Sequence, residues 1–559
     1  MKLFTAVTTA LLFWGAMSSV QSQTVQLLSP GGSPNESYRA GNSVDLVYQT
    51  SPSTVTPRPR YRFEFSTSPS GPWTSISGAT NVVDSNASGT VRAGRFIGAF
   101  RIPATPTNTG YVRQVLLSDP SKTSISPFPF KIEQPQTTRI DEFLQGAVGA
   151  GETRTLTRDK IYGIKGYFHV DNGGTLVIEP GTIVVGDQVG VNSALVINRG
   201  GKIIADGRAD APIVLTSSAP PGLRAPGDWG GLLIFGKAVI NNPGGEAAME
   251  GGVADPNNKS RWYYGGNDDN DNSGILRYVR IEFGGIALQP NQELNGLTLG
   301  GVGRGTIMEK VQVSYANDDA YEWFGGTVSG KYLISTSCLD DDFDADNGWS
   351  GKVQYAVAQR STNRADQSTS QAFETDNDAS GSFRIPRTSG IFSNVTVIGP
   401  LQDVSATPNP RFGAAAQIRR ASLLSIYNSI FLGWPRGIEI AQTPTMNAAY
   451  NDTVQVRNCA WYGIKTSWLN LAGGTPPSGM TTSWISTGRF NNVNDASNNP
   501  SAALLENPFS DIAFSAVPLA GSPVLSGASF VRDGVPAIDD SFFDKVSFRG
   551  VLGSDMRWG

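Results

Sequence analysis

At 559 residues the chain is long enough for two or more domains. Charged residues are only 16% of it, the net charge is −4, and 64 Gly and 34 Pro favour turns over exposed helices and disfavour a nucleic-acid partner. A single histidine, His169, excludes Ser-His-Asp and Cys-His catalysis and multi-histidine metal centres; in GYFHV it reads as a half-buried strand residue.

Lys2, the apolar stretch from Leu3 to Met17, and small residues near Val20 and Ser22 predict a signal peptide over 1–22. The mature chain would begin near Gln23, and no later segment approaches a transmembrane helix. The expected location is secreted, extracellular or on the outer-membrane surface, with the periplasm as alternative. Nothing in the sequence sets an oligomeric state.

Residues 24–133 alternate in strand fashion at Val44, Leu46 and Tyr48, at Phe63 and Phe65, and around Phe100 and Ile102, with turns at Ser29–Gly32 and Ser68–Pro72. That pattern predicts an immunoglobulin-like β-sandwich without an inter-sheet disulfide. Residues 134–150 read as a linker. From Gly151 to the end at 559 the pattern is short apolar strands separated by Gly or Pro, as in GGTLVIEPGTIVVG and ALVINRGGKIIADG, which predicts a parallel β-helix. Asn394, Asn428 and Asn458 each precede a strand and predict one corner of successive rungs, because Asn tolerates left-handed backbone geometry. Cys338 and Cys459 are expected to lie several rungs apart as two buried free thiols.

Three acidic, Gly-punctuated tracts carry the candidate chemistry: Asn267–Gly274, Asp340–Gly351 and Glu374–Gly381. In an extended segment Asp340, Asp342, Asp344 and Asp346 would line one face. Asp269 and Asp271, and likewise Asp376 and Asp378, lie in D-x-D-x-S-G strings that begin like calcium loops but lack the closing Glu of an EF-hand. These eight are the candidate metal ligands, with Ca²⁺ as the candidate cofactor; hydrated acidic turns are the alternative. Asp318, Asp319 and Glu322 form a further cluster, resembling the acid and base of pectin-degrading β-helix hydrolases, but the His and Arg-x-Lys elements of those enzymes have no counterpart. Trp262, Tyr264, Trp323 and Trp349 lie near these carboxylates in sequence and are candidates for stacking on sugar rings, or else for packing inside rungs.

Two resemblances add to this reading. SPGGSPNESYRAGNSVDLVYQT and YRFEFSTSPSGPWTSI resemble the Ser-Thr-rich, Kre9/Knh1-like family of N-terminal immunoglobulin-like modules, which implies a spacer or attachment role. GDWGGLLIFGKAVIN, GILRYVRIEFGG, LNGLTLGGVGRGTIMEKVQVSYANDDAYEWFGGTVSGKYLI and LDDDFDADNGWSGKVQYAVAQR are similar to a group of exported bacterial β-helix proteins of Bacteroidetes and Proteobacteria type. This likeness covers about residues 135–559 and implies a right-handed parallel β-helix. The leading functional expectation is a non-enzymatic surface protein that binds polysaccharide or cell-surface glycan, with acidic loops that hold Ca²⁺. The alternatives are a polysaccharide lyase or hydrolase using Asp318, Asp319, Glu322 and the 340–346 tract, and a structural stalk.

Overall fold

Short strands of alternating or wholly apolar residues, cut by tight turns, can bury their side chains only by stacking on one another. In the computed structural model they do so. It describes residues 24–553 apart from short stretches, chiefly 52–58, 134–138, 188–191, 251–253, 511–513 and 532–537. The expected signal peptide lies outside the described residues. The chain divides into two compact units, Met1–Pro135 and Gln136–Gly559.

The first unit pairs Thr24–Ser29, Ser43–Ser51, Val91–Arg101 and Asn86–Ser88 in one sheet. A second sheet is built around Arg60–Ser66, Thr107–Leu116 and Phe130–Glu133. Leu27, Leu46, Tyr48, Tyr61, Phe63, Phe100, Val112 and Phe130 form one apolar cluster, the arrangement of a β-sandwich.

The second unit is a parallel β-helix. Among the described residues it contains a 17-stranded and an 11-stranded sheet, with neighbouring rungs in parallel register. Its strands begin at Glu142–Leu144 and Ala147–Val148, inside the stretch read as a linker. The last strand in rung register is Val493–Asn494. The 17-stranded sheet merges two faces: from Gly274–Glu282 to Ile391–Ile398 one strand runs across both and bends at a residue of positive φ, and in the next rungs two strands flank that residue. Register aligns these bends as Tyr278, Lys310, Tyr332, Tyr355, Asn394, Asn428, Asn458 and Asn491. The Asn corner expected from sequence is thus present, and bulkier residues fill the same position upstream at a conformational cost of about 1–2 kcal/mol each. His169 is buried on Tyr167–Val170, facing Asn198 at 3.2 Å. Cys338 and Cys459 are buried free thiols.

In the 11-stranded sheet the strands that matter are β1 (Leu297–Val302), β2 (Tyr321–Gly326), β3 (Phe343–Asp346), β4 (Phe373–Thr375), β5 (Ala414–Ile418) and β6 (Arg436–Ala441). Tyr321, Phe343 and Phe373 stack rung on rung inside, with ring centroids 5.6 and 5.3 Å apart. The segment after the last rung turns back along the outside. Ser529, Phe548 and Gly550 bond the Asn corner, Asp540 meets Lys352 and Asp544 meets Lys331. No helix among the described residues is long and apolar enough to cross a membrane.

Candidate functional site

Strand alternation decides which side chains of the 11-stranded sheet leave the core. Leu297 and Leu299, Tyr321 and Trp323, Phe343 and Ala345, and Phe373 all belong to the interior cluster. The positions between them therefore point outward. Register then makes a column of Thr298 on β1, Glu322 on β2, Asp344 on β3, Glu374 on β4, Gln417 on β5 and Glu439 on β6. One turn earlier, the same register aligns Asn295, Asp319, Asp341 and Gln371, tied together by bonds from the Asp341 amide to Asp319 (2.7 Å) and from the Gln371 amide to Asp341 (2.5 Å). Asp318 and Asp340 lie beside these, and Asp346 lies one outward position beyond Asp344.

The carboxylates converge. One oxygen each from Asp318, Asp319 and Asp340 lies within 4.8 Å of the others, and so does one each from Asp319, Glu322 and Asp344. Asp319 belongs to both groups. Two charged carboxylates at that separation repel by roughly 3 kcal/mol at an effective dielectric of about 20. Burial and this mutual repulsion push Asp318, Asp319, Glu322, Asp341 and Asp344 well above the ordinary carboxylate range. Burial likewise raises Asp340, Asp346 and Glu250 to about 7. Part of that burial comes from a segment that lies over the sheet, where Ile240, Met249, Trp262, Tyr264 and Leu294 pack with Phe324.

Neutral amides complete the set. Asn295 donates to Glu322 and Gln371 donates to Glu374 (3.0 Å), both from fully buried positions. Their carbonyl oxygens, Asn295 Oδ1 and Gln371 Oε1, have no hydrogen-bond partner; neither do Asp340 Oδ1 and Asp344 Oδ1. All four are acceptors. An acceptor-only set of this kind matches an oxygen-coordinated cation such as Ca²⁺, or ligand hydroxyls, and equally allows protons to be shared between carboxyls.

The far end of the face is compensated. Arg419 bonds Glu374 and meets Asp376 at 2.8 Å, and Arg420 meets Asp376 at 2.6 Å. Burial still raises Glu374, against the pull of Arg419. For Asp378 burial opposes ionisation, yet hydrogen bonds from Ser380 and Ser382 carry it down to about 2.

The other residues singled out from sequence fall elsewhere. Asp340, Asp342, Asp344 and Asp346 do not all share a face, because the strand begins only at Phe343. Asp342 turns inward, wholly buried, against Arg360 (3.3 Å) and Ser335 (2.5 Å). Burial raises it and Arg360 counters. Asp271 bonds within its own loop, accepting from the Ser273 hydroxyl, while Asp269 accepts from the Val239 amide of an upstream segment. Burial raises Asp271. Trp323 and Trp349 stack on each other at 4.9 Å with no exposure, and Trp262 and Tyr264 are buried beneath the covering segment. None of these four rings offers a face to solvent, since stacking within and over rungs consumes them. Asp341, Glu374, Asn295 and Gln371 were not singled out from sequence. The signal for the two carboxylates was the spacing of 22 residues from Asp319 to Asp341, and Glu374 opens one of the acidic tracts. The amides left none.

A family model described as a pectate-lyase-like β-helix domain matches residues 149–500. No curated protein and no solved structure matches the chain.

Proposed function

We propose, for a chain that belongs to the pectate-lyase-like β-helix domain family, that the acidic outer face is a Ca²⁺-dependent glycan-binding cleft of an exported protein. The observation that carries this reading is the set of orphan acceptors, Asn295 Oδ1, Asp340 Oδ1 and Asp344 Oδ1, among carboxylates that form no ion pair with a described basic side chain. The residues present fit calcium: hard oxygen donors, both charged and neutral, converge without sulfur or nitrogen competitors. Asp318, Asp319, Asp340, Asp344 and Glu322 would hold the ion, and the ion would supply a positive centre for sugar hydroxyls or carboxylates. The covering segment and the buried face beneath keep water from screening that centre. The residues around it position and desolvate rather than react.

A specific observation favours a second reading, polysaccharide cleavage. Carboxyls raised to about 7, such as Asp340, beside more strongly perturbed neighbours provide the protonated and ionised partners of acid–base catalysis. The oxygens within 4.8 Å of one another leave less room than the roughly 6.5–9.5 Å between carboxyls that an inverting hydrolase needs for its water. A retaining hydrolase needs only about 5–5.5 Å, which the same oxygens approach, so product release rather than spacing separates the two readings.

The test is a panel of polysaccharides incubated with the purified protein in millimolar Ca²⁺ or in EDTA, with retained protein and released oligosaccharide measured together. Retention in Ca²⁺ alone, without product, is the expected result. Released product would replace binding with catalysis, and no retention on any polymer would end the glycan reading.

A further inference from the structure

The loop after β4 is built to hold three side chains in solvent. Asn377, fully buried, donates to the carbonyls of Ser382 (2.9 Å) and Arg384 (3.0 Å) and accepts from the Thr388 amide (2.9 Å). Asn241 in turn donates to the Asn377 carbonyl at 2.6 Å. Asp378 gathers the Ser380 and Ser382 amides and hydroxyls, and the Thr388 hydroxyl accepts from the Gly348 amide at 3.0 Å. On this scaffold Phe383 is 67% exposed and Ile385 is 81% exposed, with Arg384 exposed between them. Two large apolar side chains thus stand exposed on a loop whose backbone is held from within.

The base of the loop borders the acidic face. Gly348, two residues beyond Asp346, would drive a Cβ to 2.6 Å from the Pro386 carbonyl, and Gly381 lies against Arg420. Here the balance of charge reverses: Arg384, Arg387, Arg419 and Arg420 stand against Glu374, Asp376 and Asp378. Arg387 lies 5.0 Å from the Phe383 ring centroid, covering one face of the ring. Its Nη2 reaches the Ala421 carbonyl, but its buried Nε has no acceptor.

Resting on the cleft reading above, we infer that Phe383, Arg384 and Arg387 form a subsite for an anionic sugar unit of the same glycan. The open ring face of Phe383 stacks on the sugar, and the guanidiniums take its carboxylate or sulfate. The subsite supplies the aromatic platform that Trp323 and Trp349, buried in the core, do not. It also gives direction to the bound chain, calcium at one end of the face and arginine at the other.

The probes are alginate, polygalacturonate and chondroitin sulfate, with dextran as the neutral control, each in millimolar Ca²⁺. Wild-type protein, Phe383→Ala, Phe383→Leu and Arg384→Gln are compared for retention, and Ca²⁺ binding is read separately by Tb³⁺ luminescence. The expected result is roughly a tenfold loss of retention on an anionic polymer for Phe383→Ala and for Arg384→Gln, with unchanged Tb³⁺ binding. Phe383→Leu, which keeps bulk but not the ring, should lose nearly as much. Wild-type retention matched by Arg384→Gln or Phe383→Ala overturns the subsite and leaves the cleft standing, as does equal retention on dextran. Absence of wild-type retention on all four polymers overturns the cleft itself.

Discussion

Two ends of one sheet face carry the same chemistry and settle it differently. Around Glu374, Asp376 and Asp378, arginines and serine hydroxyls meet the carboxylates, and Asp378 stays ionised down to about 2. Around Asp318, Asp319, Glu322, Asp340 and Asp344 no described basic side chain forms an ion pair; Arg360 and Arg419 act on Asp340 and Asp344 only from a distance, and burial drives the groups upward instead. The fold therefore has the means to neutralise a buried acid and withholds it at one place. Stability alone would not keep such an arrangement, because each raised carboxyl costs folding free energy at neutral pH. On the proposed reading, a cation from solvent supplies the compensation that the chain withholds.

The comparison can be broken hardest inside the core. Arg360→Met should cost about 3–5 kcal/mol, since it strands the Asp342 carboxylate without its partner at zero exposure; thermal and urea unfolding read this. Next comes pH. Asp340, Asp346 and Glu250 stand at about 7 when folded, against about 4 when unfolded. The stability they contribute is whole below about pH 4 and is lost as pH rises to 7. In EDTA the melting temperature should thus fall by several degrees between about pH 4.5 and 7.5, and millimolar Ca²⁺ should restore it by linkage. Asp319→Asn should raise the melting temperature in EDTA at neutral pH and abolish the Ca²⁺ gain, the two effects having one cause. Arg419→Gln should convert the settled end into a second unsettled one, at about 2 kcal/mol, and make its stability newly sensitive to pH. Smallest is Ser382→Ala, which removes one hydroxyl from Asp378 for about 1 kcal/mol.

Much of this was legible in the chain. Alternation predicts the rungs, and Asn394, Asn428 and Asn458 do occupy one corner at positive φ. The same alternation in Tyr321-Glu322-Trp323 would have placed the tryptophan inside and the glutamate outside, had parity been weighed above residue type. Grouping was harder to see. Glu322, Asp344 and Glu374 share a column although turns of different length separate them, so no fixed period betrays it. The turn before Phe343 also defeats the simple alternation that put Asp342 beside Asp344. Buried amides such as Asn295 and Gln371 gain meaning only from neighbours that the fold supplies.

The returning C-terminal segment sets an order of events. Each rung joins residues a few tens apart, whereas the bond between Gln354 and Asp544 spans 190 residues. Assembly can run rung by rung from one end, and nothing in that run waits for the last residues. Until they arrive, Tyr355, Val357, Ile398, Ile430 and Leu432 lie uncovered on the outside of the coil, because Phe548, Val551 and Leu552 belong to the same cluster. A nascent molecule is thus sticky along one flank for as long as its tail is missing. The tail works as a clasp, and a chain interrupted before it would finish its coil and still aggregate.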